Sequence, residues 1–390
     1  MGKLRDIIDV IYRRKIDGFF AKVIHLFTKR RPLKNVILME SHDDFDCNGG
    51  AFYNYLIDHH YNEKYKIVWL LKNPVPKHLP PNVKGYRLHR PSFMKAYYRC
   101  VAKIFTADDY MTQKVRPDQK EFFLTHGGIT FKNVKGFLVI QNHVDYVLSS
   151  SENYAPYVRE NYSIPEKTEL LYLGFPSNDL LFQDGPDELA KLGTGSFDKV
   201  FLWMPTFRES EVIHRNDSAA EQPLGIPLIE TEETYRELNS FLQEKRALLI
   251  IKIHPIQDLS RVKIRDMSNI KVVTKDTVKA LDLDLYRLMR SADACISDYS
   301  SATYQYLLLN RPIAFVLSDL DEYIRGFSVE NYEDFLPGEK IYTMEDFTSF
   351  LGHVISGEDP YYNKRTELLD FLYKYKDGRA CERLAEFMGL

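Results

Sequence analysis

The stretch ACISDYSSATYQYLLLNRPIAFVL (residues 294–317) holds two short apolar runs, ACISD and PIAFVL, separated by a hydroxyl-rich junction and a helix-like segment, 300–309. Runs of this length bounded by turn signals read as buried strands, and a helix between two of them returns the chain so that the strands lie parallel. The alternation extends in both directions. NVILME (35–40), KIVWLL (66–71), AKIFTA (102–107), EFFLTH (121–126) and DYVLSS (145–150) form a first series. KVFLWMP (199–205), ALLIIKIHP (247–255) and IKVV (270–273) lead into the quoted pair as a second. Helix-like stretches at 49–60, 92–100, 231–245 and 284–291 fall between them. Continuous apolar strands covered by helices on both faces are the mark of parallel sheet.

Two series predict two doubly wound α/β domains of Rossmann type. A chain of 390 residues supports that count, since single cores stop growing near roughly 250–300 residues. The expected organisation is a basic segment at 1–34, an N-terminal domain at 35–195 and a C-terminal domain at 196–390. The linker is expected near 185–198, where Gly, Pro and polar residues concentrate. RESEVIHRNDSAAEQPLG (208–225) reads as a long mobile loop at a strand end.

Cys47, Cys100, Cys295 and Cys381 are widely spaced, with no CxxC pair, which argues against a thiol zinc site or a disulfide framework and for a reducing compartment. No apolar run is long enough to span a bilayer, and the first residues lack a secretory signal. The chain is therefore expected on the cytoplasmic side. Residues 1–35 carry ten Lys or Arg against three Asp, whereas the whole chain has a net charge of -3. Leu4, Ile7, Ile8, Ile11, Ile16, Phe19, Phe20, Val23 and Phe27 recur there at helical spacing, surrounded by Arg5, Arg13, Arg14, Lys15, Lys22, Lys29, Arg30 and Arg31. An amphipathic basic helix of this kind suits an anionic membrane surface. The alternative is a helix docked on the body of the protein.

In open α/β sheets, ligands bind beyond the carboxyl ends of the strands. Four strand-end clusters carry chemistry. LTHGGITFKNVKG places His126 after a strand, with Gly127 and Gly128 permitting close backbone approach and Lys132 and Lys135 following. WMPTFRES ends a second strand and contains Arg208; KIHP offers Lys252 and His254. The quoted junction supplies Asp298, Ser300, Ser301 and Thr303 at a helix start, where free N–H groups favour an anion. Any one of these is more often a cap or a structural histidine. Together they suit a nucleoside diphosphate held in a cleft between two domains.

No GxxxxGK[ST] and no GxGxxG opening the first unit is present, which weakens kinase and dinucleotide readings. SHDDFDCNGG (41–50) offers Asp43, Asp44 and Asp46 either to a metal or to a helix start near Gly49. His59, His60 and His143 read as structural or surface residues. No metal, cofactor or nucleic-acid partner is expected.

THGG with Lys132 and Gly136, GFPSNDLL (174–181), MPTFR (204–208), KIHP (252–255), SDYSSATYQYLLLNRPIAFVLSDLDEY (297–323) and LPG (336–338) occur in this order. Across residues 120–340 the chain thereby resembles the CDP-glycerol glycerophosphotransferases of teichoic acid and related glycerol-phosphate polymer synthesis. The resemblance implies a GT-B-like pair of Rossmann-type domains, with a CDP-polyol held mainly by the C-terminal one. It also implies peripheral membrane attachment and a lipid-linked saccharide or glycerol-phosphate acceptor.

The implied reaction is attack of an acceptor hydroxyl on the β-phosphorus of CDP-glycerol, with CMP leaving. His126 is then the expected base, with Gly127, Gly128 and Lys132 on the acceptor side. Arg208, Lys252, Ser300, Ser301 and Thr303 are expected on the diphosphate, and His254 there too, or as the acid protonating CMP. Asp298 is expected either to hold a polyol hydroxyl or to orient the turn. CDP-ribitol or another CDP-polyol, a nucleotide-sugar glycosyltransferase and a non-catalytic scaffold are the competing readings. Primase and polymerase, and teichoic acid and capsule, stay open.

Overall fold

The computed structural model describes residues 2–210, 215, 216, 218 and 222–390, of which 2–14, 209, 210, 215 and 216 are described by backbone alone. By contact the chain divides into two compact units. The first comprises Met1–Gly127, Lys135–Asp179 and Arg379–Leu390; the second comprises Gly128–Val134 and Leu180–Gly378.

The first unit is built on seven parallel strands: β1 (Lys34–Met39), β2 (Lys66–Leu71), β3 (Val83–Arg87), β4 (Ala102–Ala107), β5 (Lys120–Phe123), β6 (Tyr146–Ser149) and β7 (Glu169–Tyr172). Their order is β3-β2-β1-β4-β5-β6-β7. The central strands are buried along nearly their whole length, as a sheet covered on both faces requires. The helices are α1 (Gly2–Thr28), α2 (Cys47–Asp58), α3 (Tyr61–Lys64), α4 (Phe93–Val101) and α5 (Ala155–Asn161).

The second unit has a six-stranded parallel sheet of β8 (Lys199–Trp203), β11 (Ala247–Lys252), β12 (Ile270–Val273), β13 (Ala294–Ser297), β14 (Ile313–Val316) and β15 (Glu339–Ile341). Their order is β12-β11-β8-β13-β14-β15. A short antiparallel pair, β9 (Glu209–Ser210) and β10 (Arg215–Asn216), follows β8. Of the long loop expected over 208–225, residues 211–214, 217 and 219–221 lie outside the described residues. Helices α6 (Glu188–Lys191), α7 (Glu232–Glu244), α8 (Lys275–Leu281), α9 (Leu285–Ser291), α10 (Ala302–Tyr306), α11 (Met344–Ser356) and α12 (Tyr362–Leu372) complete this unit. The final helix, α13 (Ala380–Met388), belongs to the first.

The passage between halves lies at Asp179 and Leu180 rather than within 185–198. The reason is local: the Asp179 carboxylate accepts from the backbone N–H groups of Ala380 (2.9 Å) and Cys381 (2.8 Å), which fastens α13 to the GFPSNDLL segment. Gly128–Val134 joins the second unit through an antiparallel bridge from Lys132 to Phe327 and a bond from Asn133 N–H to the Gly326 carbonyl.

Helix α1 docks on α4 with Ala21 and Ile24 against Ala96, Cys100 and Val101. Phe19, Leu26 and Phe27 remain exposed, with Lys22, Lys29, Arg30 and Arg31 also exposed. The side chains of Leu4, Arg5, Ile7, Ile8, Ile11, Arg13 and Arg14 lie outside the described residues. No helix is long and apolar enough to cross a membrane among the described residues.

Each sheet has one place where chain order reverses. In the first unit it separates β1 from β4, and in the second β8 from β13. The crevice beyond such a reversal is where an open α/β sheet binds ligands.

Candidate active site

In the first unit the reversal brings together residues far apart in sequence. The loop after β1 carries His42, Asp43, Asp44 and Asp46, and the loop after β4 carries Asp108 and Asp109. Lys72 follows β2, and His126 stands three residues beyond β5.

The His126 turn is held from inside. Asn48, at the start of α2 and fully buried, directs its amide nitrogen at the carbonyls of Leu124 (2.9 Å), Thr125 (2.9 Å) and Gly127 (2.8 Å). Its carbonyl oxygen accepts from Ser177 N–H (3.1 Å) and the Ser177 hydroxyl (2.7 Å), so GFPSNDLL supports this turn. Thr125 is buried at φ 63°, a left-handed conformation that costs on the order of 1 kcal/mol for a residue with a Cβ. Phe45 (φ 57°) and Cys47 (φ 55°) carry the same strain in the facing loop. Gly50 makes that loop possible, since a Cβ there would stand 2.1 Å from the Phe45 carbonyl oxygen.

His126 Nδ1 lies 3.3 Å from Cys47 Sγ, which also accepts from Gly127 N–H at 3.3 Å. The Cys47 thiol is pushed up to about 12 by burial, so it is a neutral partner. The rings of His126 and His42 are 4.1 Å apart. His42 Nδ1 stands 3.6 Å from Asp109, whose carboxylate also pairs with Lys72 Nζ at 2.5 Å. The bond to Asp109 raises the His42 pKa. Desolvation, then the neighbouring His42 charge, lowers that of His126. The result is an exposed imidazole kept neutral near pH 7, with a cation-favouring imidazole behind it.

The acidic loop is occupied structurally. Asp44 accepts from the N–H groups of Lys72 and Asn73, both at 2.8 Å, and Asp46 accepts from Asp43 N–H at 2.9 Å. Among the described residues no group of three His, Cys, Asp or Glu is arranged to hold a metal ion. His143 bonds Glu121 at 2.7 Å.

In the second unit, Arg208 after β8 meets Asp298 after β13. Its Nη1 lies 2.8 Å from Asp298 and its Nε 2.6 Å from Asp319, with Nη2 3.0 Å from the other Asp319 oxygen. Asp298 also accepts from Thr206 N–H at 2.9 Å, from the Thr206 hydroxyl and from Tyr299 N–H at 2.6 Å. Tyr299 donates its hydroxyl to Asp319 at 3.1 Å and stacks under the guanidinium. Burial opposes the Arg208 charge, but the two carboxylates outweigh it and raise its pKa. Arg208 is thus paired with two carboxylates of the protein, and Asp298 accepts from the N–H groups of Thr206 and Tyr299.

Around this frame stand the other residues expected on the donor and acceptor. Lys132, expected on the acceptor side, reaches the Thr206 hydroxyl at 3.5 Å within the second unit. Gly128 packs against Gln305, whose Cγ would lie 3.3 Å from a Cβ at that position. Ser300 Oγ accepts from Ala302 N–H at 3.3 Å, and Ser301 sits at the N-cap of α10 without a side-chain cap bond. Thr303 is fully buried on the inward face of α10, which removes its hydroxyl from solvent. His254 Nδ1 accepts from Ile256 N–H at 3.3 Å, leaving Nε2 as a donor. Burial lowers the Lys252 pKa to about 8, and among the described residues no carboxylate pairs with it.

Asn48, His42, Lys72, Asp109 and Asp319 were not singled out from sequence. Their only advance signal was position, since all but Asn48 follow an apolar run.

A family model described as CDP-glycerol:poly(glycerophosphate) glycerophosphotransferase matches residues 22–389. The teichoic acid ribitol-phosphate polymerase TarL of Staphylococcus aureus (strain NCTC 8325 / PS 47) is 28% identical over 94% of this chain and 65% of its own length. The teichoic acid glycerol-phosphate primase of Bacillus subtilis (strain 168) is 25% identical over 95% of this chain and 96% of its own. The solved structure of the wall teichoic acid polymerase TagF superposes with a TM-score of 0.72 at 20% identity, covering 99% of this chain and 96% of that one. A UDP-N-acetylglucosamine 2-epimerase structure gives 0.52 at 10% identity over 92% and 95%. Both likenesses are of fold.

Proposed function

We propose, from the premise that the chain belongs to the CDP-glycerol:poly(glycerophosphate) glycerophosphotransferase family, that it transfers glycerol phosphate from CDP-glycerol to a hydroxyl of a membrane-linked acceptor in teichoic acid synthesis. The acceptor oxygen forms a bond to the β-phosphorus, the bond from that phosphorus to the bridging oxygen breaks, and CMP departs with the electron pair. The acceptor proton passes to His126. Such a transfer needs positioning, a base and charge stabilisation, with little covalent chemistry from the protein.

The observation that carries the reading is the His126 turn: a neutral imidazole on a strained turn clamped by Asn48. In the tautomer whose Nδ1–H donates to Cys47 Sγ, Nε2 has the lone pair a base requires. Lys132, Lys252, His254, Ser300 and Ser301 are the candidate donors to the diphosphate. The helix after Ser301 has only five residues, so hydroxyls and lysines carry this role more than its dipole. Arg208 and Asp298 build the frame on which those donors stand.

CDP-ribitol is the second reading, favoured by the likeness to TarL. The exposed Phe19, Leu26 and Phe27 amid basic residues of α1 support attachment to an anionic membrane. The test is CMP release by purified protein given CDP-glycerol, CDP-ribitol or UDP-sugars with a lipid-linked disaccharide acceptor. Release with CDP-glycerol that requires acceptor and disappears in His126→Ala is the expected result. Release confined to UDP-sugars would overturn the reading.

A further inference from the structure

The first unit contains a cavity of about 620 Å³ that none of the roles above uses. Leu38 and Leu70 form its floor over the ends of β1 and β2, Asp17 and Gly18 of α1 border it, and Phe137 and Val139 stand at its rim, both exposed. Its volume falls in the range of small-molecule sites. Asp109 lines it too, and the same carboxylate pairs with His42, the ring against His126. The cavity is therefore linked to the expected base through two side chains, Asp109 and His42.

Two Lys or Arg side chains line it, and they differ. Lys95 is paired with Asp17 and donates to the carbonyls of Arg87, Leu88 and Arg90, so its charge is spent. Arg99 donates Nε–H to the Gln113 carbonyl at 2.7 Å, and among the described residues no carboxylate pairs with its guanidinium. Asp17 and Glu121 act on this half-buried guanidinium only from a distance, so an anion in direct contact would offset its desolvation, and its fork of donors matches a phosphate. The loop bearing Gln113 is itself pinned, because buried Glu40 accepts from Thr112 N–H (2.9 Å) and the Thr112 hydroxyl (3.0 Å). Apolar floor, fixed polar wall and one open cation together suit a molecule with C–H surface, hydroxyls and a single phosphate group.

We propose that this cavity seats the acceptor end of the reaction: a polyol phosphate ester whose phosphate rests on Arg99 and whose free hydroxyl lies toward Asp109 and the His42–His126 pair. The proposal rests on the transferase reading and assigns its acceptor a place. A lipid-linked chain would enter at the rim formed by Phe137 and Val139, on the unit that also bears the exposed apolar residues of α1.

The experiment is steady-state CMP release with CDP-glycerol and a disaccharide acceptor bearing one glycerol phosphate and a short alkyl tail. Equilibrium binding of glycerophosphoglycerol is measured in parallel without donor. Arg99→Gln should raise the acceptor KM at least about tenfold and abolish glycerophosphoglycerol binding, with the CDP-glycerol KM unchanged and Arg99→Lys partly restored. Val139→Trp, an exposed change that fills the rim without disturbing a core, should act on the acceptor in the same way. An unchanged acceptor KM in both variants overturns the proposal. So does loss of binding to phosphatidylglycerol vesicles in Arg99→Gln with the acceptor KM intact, because the phosphate seat would then belong to a lipid headgroup. If the wild type turns over no CDP-polyol yet binds glycerophosphoglycerol through Arg99, the transferase reading fails and the polyol phosphate seat stands.

Discussion

The guanidinium of Arg208 meets the carboxylate of Asp298 at 2.8 Å across the line where the sheet of the second unit reverses its order, between β8 and β13. Asp298 is almost fully buried, and so is Asp319 on the other side of the fork. An ion triad this dry is a framework element. Its charges must stay paired, because neither carboxylate has water to fall back on.

Arg208→Met should therefore destabilise the protein by about 3–5 kcal/mol, the cost of leaving buried carboxylates without their partner. The denaturant midpoint measures it. Arg208→Met combined with Asp298→Asn and Asp319→Asn should recover part of the loss, since no unpaired charge then remains. Equal instability of the single and triple variants would mean that packing, not charge, is what Arg208 supplies.

Asn48→Ala should lower kcat by about 10²-fold while changing the CDP-glycerol KM little, because it frees the carbonyls of Leu124, Thr125 and Gly127 and lets the His126 turn relax. Each released buried acceptor also costs about 1–3 kcal/mol. The thermal midpoint should fall with kcat, and Asn48→Asp should not rescue it, since a carboxylate offers no donor to those carbonyls.

How much of this was legible beforehand follows from the physics of each element. The buried central strands announced themselves because a sheet covered on both faces demands continuous apolar runs, as in KIVWLL and ALLIIK. β3, β7 and β15 stood outside the strand assignments. They are edge strands, hydrogen-bonded on one side only, and VKGYR and EKI have no apolar run to betray them. At the site, His126, His254 and the Ser300–Ser301 junction were visible as residues following strands. What they touch was not. That Asp109 would stand beside His42 depends on β1 and β4 being neighbours, and strand order is a property of the assembled sheet. The fate of Arg208 was hidden for the same reason, because its two carboxylates come from loops after β13 and β14.

Asp108 offers a test by pH. Burial pushes its carboxyl up to about 8, and one of its oxygens has no hydrogen-bond partner among the described residues. The folded form thus binds a proton that the unfolded form releases near the ordinary aspartate value of about 3.9. Linkage gives the sign: stability from this group is fully present below the unfolded pKa and is lost as pH rises toward about 8. Asp108→Asn should remove that loss. Its melting temperature should exceed that of the wild type more at pH 8 than at pH 5, and a difference independent of pH would show that Asp108 is ionised in the fold.

The acidic limb of the rate profile tests the base. A base must be neutral to accept the acceptor proton, so kcat/KM falls as pH drops through the His126 pKa. Desolvation and the adjacent His42 both lower that pKa, and the limb should lie below the ordinary histidine value of about 6.5. His42 is itself held toward its cationic form by Asp109. His42→Asn removes the cation and leaves Asp109 nearer to its full effect, and both changes raise the His126 pKa. The limb should move to higher pH in that variant, with the rate on its plateau reduced far less than in His126→Ala. A limb that stays in place when His42 is removed would mean that another group accepts the proton.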